Sequence, residues 1–325
     1  MWNRRQLFAA GAASLAACVG TPAIAQNFPN RAVTMVVPFP AGGITDAVAR
    51  ALASKMGEQL GKPVIVDNRP GGGGQIAAAY VRQQAADGHT LYVGATEMFA
   101  INPSLFRNFS YDPLKDFSPV TSLIASPLVL VVPANSSLTS VKELIAQAKS
   151  RKDGLNFASQ GMGSIGHLLG ETFRGKVGGK FNHVAYKGSA PALQDVMGGQ
   201  VDFMFDPVIT TAPLVAGKKL KPLAIAADKR SPQMPDVPTL AELGVLGVNA
   251  GVWFGAVVKT GTAAAVVERL NDAIHQAMKD PEVVKRFADQ GMQAFPSTPA
   301  QFGSFMQSEM TKWGPLVKAS GASIE

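Results

Sequence analysis

The chain reads as an α/β protein of two lobes, and three observations predict it. Its 325 residues exceed one ordinary domain. Short apolar runs alternate with helical periodicity from Val33 to Gly94, a βαβαβ rhythm that implies a parallel sheet covered by helices. A second series of the same kind starts at Leu128, beyond a Pro-rich interval. Ligands in such folds bind outside the carboxyl ends of the strands.

Residues 1–25 read as an export signal. Arg4 and Arg5 precede an apolar stretch from Leu7 to Val19, and Ala23-Ile24-Ala25 is a small-x-small cleavage site. Release after Ala25 into the periplasm is favoured, because that site leads directly into the mature start. Leu15-Ala16-Ala17 before Cys18 also resembles a lipobox, so lipidation at Cys18 stays open, as does the choice between general and twin-arginine export. Cys18 is the only cysteine, so the mature chain is free of disulfides.

Val33–Val37 is apolar enough for a buried strand, which Pro38 and Pro40 end by removing amide donors. In the loop that follows, Ala41, Gly42 and Gly43 lack bulk, and Thr45 or Asp46 is placed to cap a helix through Val48, Ala49 and Leu52. Strand, small-residue loop and helix N-terminus together offer amides and a positive dipole end to an anion. A turn with glycines for tight packing explains the same residues equally well. Val64–Val66 is the next strand. Asp67 to Gly74 is a long turn, Ile76 to Ala86 a helix, and Leu91–Gly94 a strand that places Ala95, Thr96 and Glu97 at its carboxyl end.

Tyr111 to Pro119 reads as irregular, Leu128–Val132 as a strand, and the segment from Val141 to Ala148 as a helix, with the first crossing between lobes near Ser126. Further strands are expected at Leu155–Ala158, Phe181–Tyr186, Val201–Phe205 and Leu223–Ala226. A Pro- and Gly-rich connector from Asp228 to Gly251 then returns the chain to a strand at Val252–Val258. Helices from Thr262, Pro281 and Gln301 close the sequence. The expected division is residues 26–126 with 252–325 in one lobe and 127–251 in the other.

Composition narrows the function. An apolar fraction of 46% and a charged fraction of 16% fit a well-packed core, and the net charge of +7 gathers no denser than Lys218, Lys219 and Lys221, so no nucleic-acid footprint is expected. Ser159 to Gly166 contains G-x-G-x-x-G through Gly161, Gly163 and Gly166, yet Thr172 to Gln194 holds no acid for a ribose, which argues against a dinucleotide. Ser164 instead suits a helix cap. His167 and Glu171 share a helix face but lack further ligands at motif spacing, so no metal and no cofactor are called for. No serine sits in a nucleophile elbow. Tyr186 to Pro191 is a third loop, with Ser189 as a plausible cap, and Asp206 ends the following strand. Three loops of amides and hydroxyls in two lobes favour a cleft for a small anion.

The residues that carry a family likeness run through the mature chain: PFPAGGITDAVAR from Pro38, VDNRPGGGG from Val66, DGHTL from Asp87, YDPLKDFSPV from Tyr111, GMGSIGHLLGETF from Gly161, HVAYKGSAPALQDVMGGQVDFMF from His183 and KASG from Lys318. In this order they resemble the Bug-type substrate-binding proteins of tripartite tricarboxylate transporters. Gly72, where such proteins often carry Ala, and Ala185, where Pro is common, are small departures. The resemblance implies a type II periplasmic-binding-protein fold, two α/β lobes joined by crossing segments with a ligand cleft between them. It implies an extracytoplasmic, monomeric receptor, not an enzyme, that passes a small organic (di)carboxylate to membrane permease subunits. One carboxylate would be held by Phe39, Ala41, Gly42, Gly43, Thr45 and Asp46, partly through water, with Thr96 at the neighbouring strand end. The far end would meet Ser159, Gly161, Gly163, Ser164, Tyr186, Lys187 and Asp206. Two other readings stand beside it: a ligand sensor for a signalling partner, and an enzyme with His167, Glu171 and Asp206 as acid–base groups.

Overall fold

A computed structural model describes residues 28–325, so the leader and Cys18 lie outside the described residues. The chain opens with β1 (Val33–Val37), α1 (Ile44–Leu60), β2 (Val64–Asn68), α2 (Gln75–Gln83) and β3 (Thr90–Ala95). A wide helical turn at Glu97–Ile101 leads into the short α3 (Asn102–Leu105). β1 pairs with β2 and β3 in parallel, as the βαβαβ reading expects. The tetraglycine turn packs against the core: a Cβ on Gly74 would collide with Tyr92 and Met98, and Asn102 Nδ2 donates to the Gly73 carbonyl at 2.8 Å.

The long strand β4 (Phe117–Pro133) organises the rest. Its first part pairs antiparallel with β9 (Gly251–Lys259), down to Pro127 opposite Gly251. From Leu128 onward its partners are β7 (Phe203–Pro207) and β8 (Leu220–Ala226). The sheet thus changes partners between Pro127 and Leu128. The sequence expectation of an irregular segment up to Pro119 is corrected here: the ladder starts at Phe117, and register shifts between Pro119 and Thr121 and between Ser122 and Ile124 absorb the proline.

The second lobe continues with α4 (Val141–Ser150), β5 (Leu155–Ser159), α5 (Ile165–Val177), β6 (Phe181–Ala185) and α6 (Ser189–Met197). α7 (Val208–Ala216) joins β7 to β8 and is absent from the sequence reading, because Val, Ile, Thr and an internal Pro213 all argue against a helix. After the connector come β9, α8 (Ala264–Lys279), α9 (Pro281–Asp289), the two-residue β10 (Gln293–Ala294) and α10 (Pro299–Ser320). Overall the strands run β2-β1-β3-β9-β4-β7-β5-β6, with β8 and β10 both on β4. The buried Glu309 carboxylate accepts from Trp253 Nε1 and Trp313 Nε1, each at 2.9 Å, and so fastens α10 to β9 beside the crossing. No helix among the described residues is long and apolar enough to cross a membrane.

Candidate functional site

A cavity of about 430 Å³ opens between the lobes, at the carboxyl ends of β1, β3, β5 and β7. The first lobe lines it with Phe39, Pro40, Ala41, Gly43, Ile44 and Thr45 from the β1–α1 turn, with Ala95 and Glu97 after β3, and with Val252 and Phe254 of β9. The second lobe contributes Gln160, Ser164, Ile165, Ser189 and Pro207. These positions share a physical property. Gly43, Ser164 and Pro207 are the N-caps of α1, α5 and α7, and Ser189 is the first residue of α6. Four helix N-termini therefore border one space with their positive dipole ends, three from one lobe and one from the other.

At α1 the capping expectation is corrected. Gly43, in extended conformation, is the N-cap and carries no side-chain cap. Asp46 sits in the first turn and reaches back, accepting from the Gly42 N–H at 2.9 Å. It also accepts from Arg50 Nε at 3.0 and 2.9 Å, and this guanidinium, with the Gly42 amide, holds the Asp46 carboxyl down at about 2 against the opposing effect of burial. Arg50 passes the constraint to Asn68 Oδ1 at 3.1 Å, whose Nδ2 donates to the Phe39 carbonyl at 3.1 Å. Both ends of the turn are thus tied from behind. Gly42 and Asp46 do not line the cavity; among the described residues nothing accepts from the Ala41 or Gly43 N–H.

The second lobe is arranged differently. Ser164 caps α5 by accepting from His167 N at 3.3 Å. Ser159 Oγ accepts from Gly161 N at 3.1 Å, and Gly163 N donates to His167 Nδ1 at 3.0 Å, so the amides of Gly161 and Gly163 are already used. Gly163 has another role: its φ of 74° suits glycine, and a Cβ there would collide with Leu105 of the first lobe. The two lobes meet at that contact. Beneath the loop the His167 and His183 rings stack at 3.9 Å, and Ser159 Oγ lies 2.6 Å from His183 Nε2. Burial drives both imidazoles down to about 4, with Arg174 adding to it at His167 and His167 adding to it at His183.

Asp206 is fully buried behind the cavity wall. It accepts from Gln160 Nε2 at 2.6 Å, from Ser189 Oγ at 2.7 Å and from Thr210 Oγ1, while burial pushes its carboxyl up to about 6. Its effect at the cavity passes through Gln160 and Ser189, which do line it. Thr96 Oγ1 accepts from Trp253 N at 2.8 Å and clamps the end of β3 to β9. Tyr186 donates to Asp195 at 2.7 Å, and Lys187 is exposed; neither lines the cavity. Of the residues singled out in the sequence, Phe39, Ala41, Gly43, Thr45 and Ser164 meet at the cavity, and Gly42, Asp46, Thr96, Ser159, Gly161, Gly163, Tyr186, Lys187 and Asp206 stand behind or beside it. The sequence reading missed Gln160, Ser189 and Glu97 as lining groups. Gln160 and Glu97 adjoin residues it did select and Ser189 lies two beyond Lys187, but which residue of a loop faces the cavity is decided by strand and loop geometry.

Fold and cavity define the class, a two-lobed solute-binding protein. Residues 48–322 match the family described as "Tripartite tricarboxylate transporter family receptor", and the chain belongs to that family. It is 37% identical over 308 residues to Protein BugT of Bordetella pertussis, covering 94% of either chain. Among solved structures it is similar to Rpa4515 of R. palustris with adipate, with a TM-score of 0.80 and 34% identity over 91% of this chain and 99% of that one. It is likewise similar to MatC (Rpa3494) from Rhodopseudomonas palustris with bound malate, with a TM-score of 0.76 and 35% identity over 89% of this chain and 100% of that one. The family consists of solute-binding receptors rather than enzymes.

Proposed function

We propose that this protein is an exported receptor that captures a small organic carboxylate or dicarboxylate between its lobes and delivers it to the permease subunits of a tripartite tricarboxylate transporter. The observation that carries this reading is the convergence of four helix N-termini on one interlobe cavity, with the Ala41 and Gly43 amides unclaimed among the described residues. N–H donors to a carboxylate form short, strong bonds, so an anion is held there without an arginine clamp. The adipate and malate bound by its structural relatives support the same ligand chemistry. The leader after which the mature chain begins at Gln26 supports periplasmic delivery.

Residues 26–126 with 252–325 form the first lobe and 127–251 the second, and the ligand bridges them. An anion that touches both lobes stabilises the closed arrangement alone, which gives a permease a shape that distinguishes loaded from empty receptor. The acid–base candidates of an enzyme reading do not meet the ligand: His167 accepts from Gly163, Glu171 pairs with Arg174, and Asp206 is enclosed by Gln160, Ser189 and Thr210. A thermal-shift panel of mono-, di- and tricarboxylates and aromatic acids tests the reading. A true ligand at about 100 times its Kd adds about 2.7 kcal/mol of stability, and it should be recovered unaltered. No shift with any acid, or recovery of a converted product, contradicts it.

A further inference from the structure

Glu97 is the one ionisable side chain among the residues that line the interlobe cavity. It stands at the carboxyl end of β3, next to β1 in the sheet, so the first lobe presents a carboxylate beside its own anion-binding turn. Its surroundings are apolar, with Ala95, Val252 and Phe254 on the same wall. Glu97 itself is half-buried, and the fully buried acids of the chain have partners: Asp46 has Arg50, Asp206 has three donors, and Glu309 has two indoles. Among the described residues Glu97 has no cation and no side-chain donor. Its own backbone N–H is the one donor it has, so an acid without a side-chain or cationic partner at a cavity wall leaves room for a donor from the occupant.

We propose that Glu97 selects the ligand class: resting on the receptor reading above, the occupant is an organic acid whose carboxylate goes to the helix N-termini and whose other end carries a protonated amine that pairs with Glu97. A second carboxylate at that end would meet a like charge in a poorly screened space. An ammonium meets the opposite charge and satisfies the carboxylate that the fold leaves alone. Burial raises the Glu97 pKa against a hydrogen bond from its own backbone N–H, which reflects the cost of holding its charge without a cation.

The test is titration calorimetry on the mature chain at neutral pH with matched-length pairs: succinate against γ-aminobutyrate, glutarate against δ-aminovalerate, adipate against ε-aminocaproate. The amino acid of at least one pair should bind wild type at least about tenfold more tightly than its diacid, and Glu97→Gln should reverse that order. Glu97→Asp, which keeps the charge on a shorter arm, should keep the order and weaken both. Ligand-free melting curves establish that the variants fold; the wild-type ratio decides even if they do not. Diacids binding wild type more tightly in every pair, or a ratio unmoved in folded Glu97→Gln, overturns the assignment. If the diacids bind and Gly43→Glu abolishes that binding, the receptor reading survives and only the role of Glu97 falls. If neither series binds wild type or Glu97→Gln, the role of Glu97 falls, and the receptor reading stands or falls with the thermal-shift panel.

Discussion

The two glycine-rich turns that face each other across the cavity look alike in sequence and behave differently. In the β1–α1 turn the side chains work from behind: Asp46, Arg50 and Asn68 secure Gly42 and the Phe39 carbonyl, and among the described residues the Ala41 and Gly43 amides stay unclaimed. In the Ser159–Ser164 turn the amides of Gly161 and Gly163 are spent inside the loop, and the side chains of Gln160, Ser164 and, from the next loop, Ser189 form the wall. One turn leaves backbone amides at the cavity; the other brings side chains to it and a landing point for the opposite lobe. A run of glycines therefore does not by itself say whether the peptide is for a ligand or for packing.

The largest effect that separates the turns is expected from Gly43→Glu. Its backbone is extended and a Cβ there meets only the Pro40 carbonyl oxygen at 3.6 Å, so the variant should fold. Placing a carboxylate at the anion position should weaken ligand binding by about 100-fold or more, measured by calorimetry. Unchanged affinity would remove the first turn from the site. Next comes Gly163→Ala. The strained backbone and the collision with Leu105 should hold the lobes apart, lowering affinity by about tenfold and enlarging the ligand-bound particle in small-angle scattering. An unchanged affinity would mean that this contact plays no part in closure.

A smaller effect concerns pH. His167 and His183 sit at about 4 in the fold against an ordinary 6.5, so the unfolded chain binds more protons between those values. Their contribution makes stability fall as pH drops from 6.5 to about 4 and then level off. Asp206, raised to about 6 from 3.8, acts in the opposite sense by favouring the fold more at the acid end of the same window. Chemical denaturation across this range should therefore show a steeper acid loss in Asp206→Asn and a shallower one in His183→Asn. Parallel curves for all three proteins would contradict the assignment. The smallest effect is expected from Tyr186→Phe, whose hydroxyl serves Asp195: binding should change by less than about twofold.

Much of this fold was legible because its signals are local. The apolar run of β1, the Ser164 cap and the helix at Val141 need only neighbours in sequence to be read. The front half of β4 was not, since Ser118, Pro119, Thr121 and Ser122 look like a loop until β9 and β10 are laid against them. α7 was hidden for the same reason, its β-branched residues overruled by packing between β7 and β4. At the site, the loops were legible and the facing atoms were not. Asp46 and Asp206 are acids next to the interlobe cavity, and only their hydrogen bonds reveal that each is turned to its own neighbours rather than to the cavity.

The most direct test is a ligand-bound crystal structure with an acid taken from the thermal-shift panel. A carboxylate lying within hydrogen-bond reach of the Ala41 or Gly43 N–H, with its far side against Gln160, Ser164 or Ser189, is the predicted result. A carboxylate seated instead on Lys187, outside the interlobe cavity, would contradict the account.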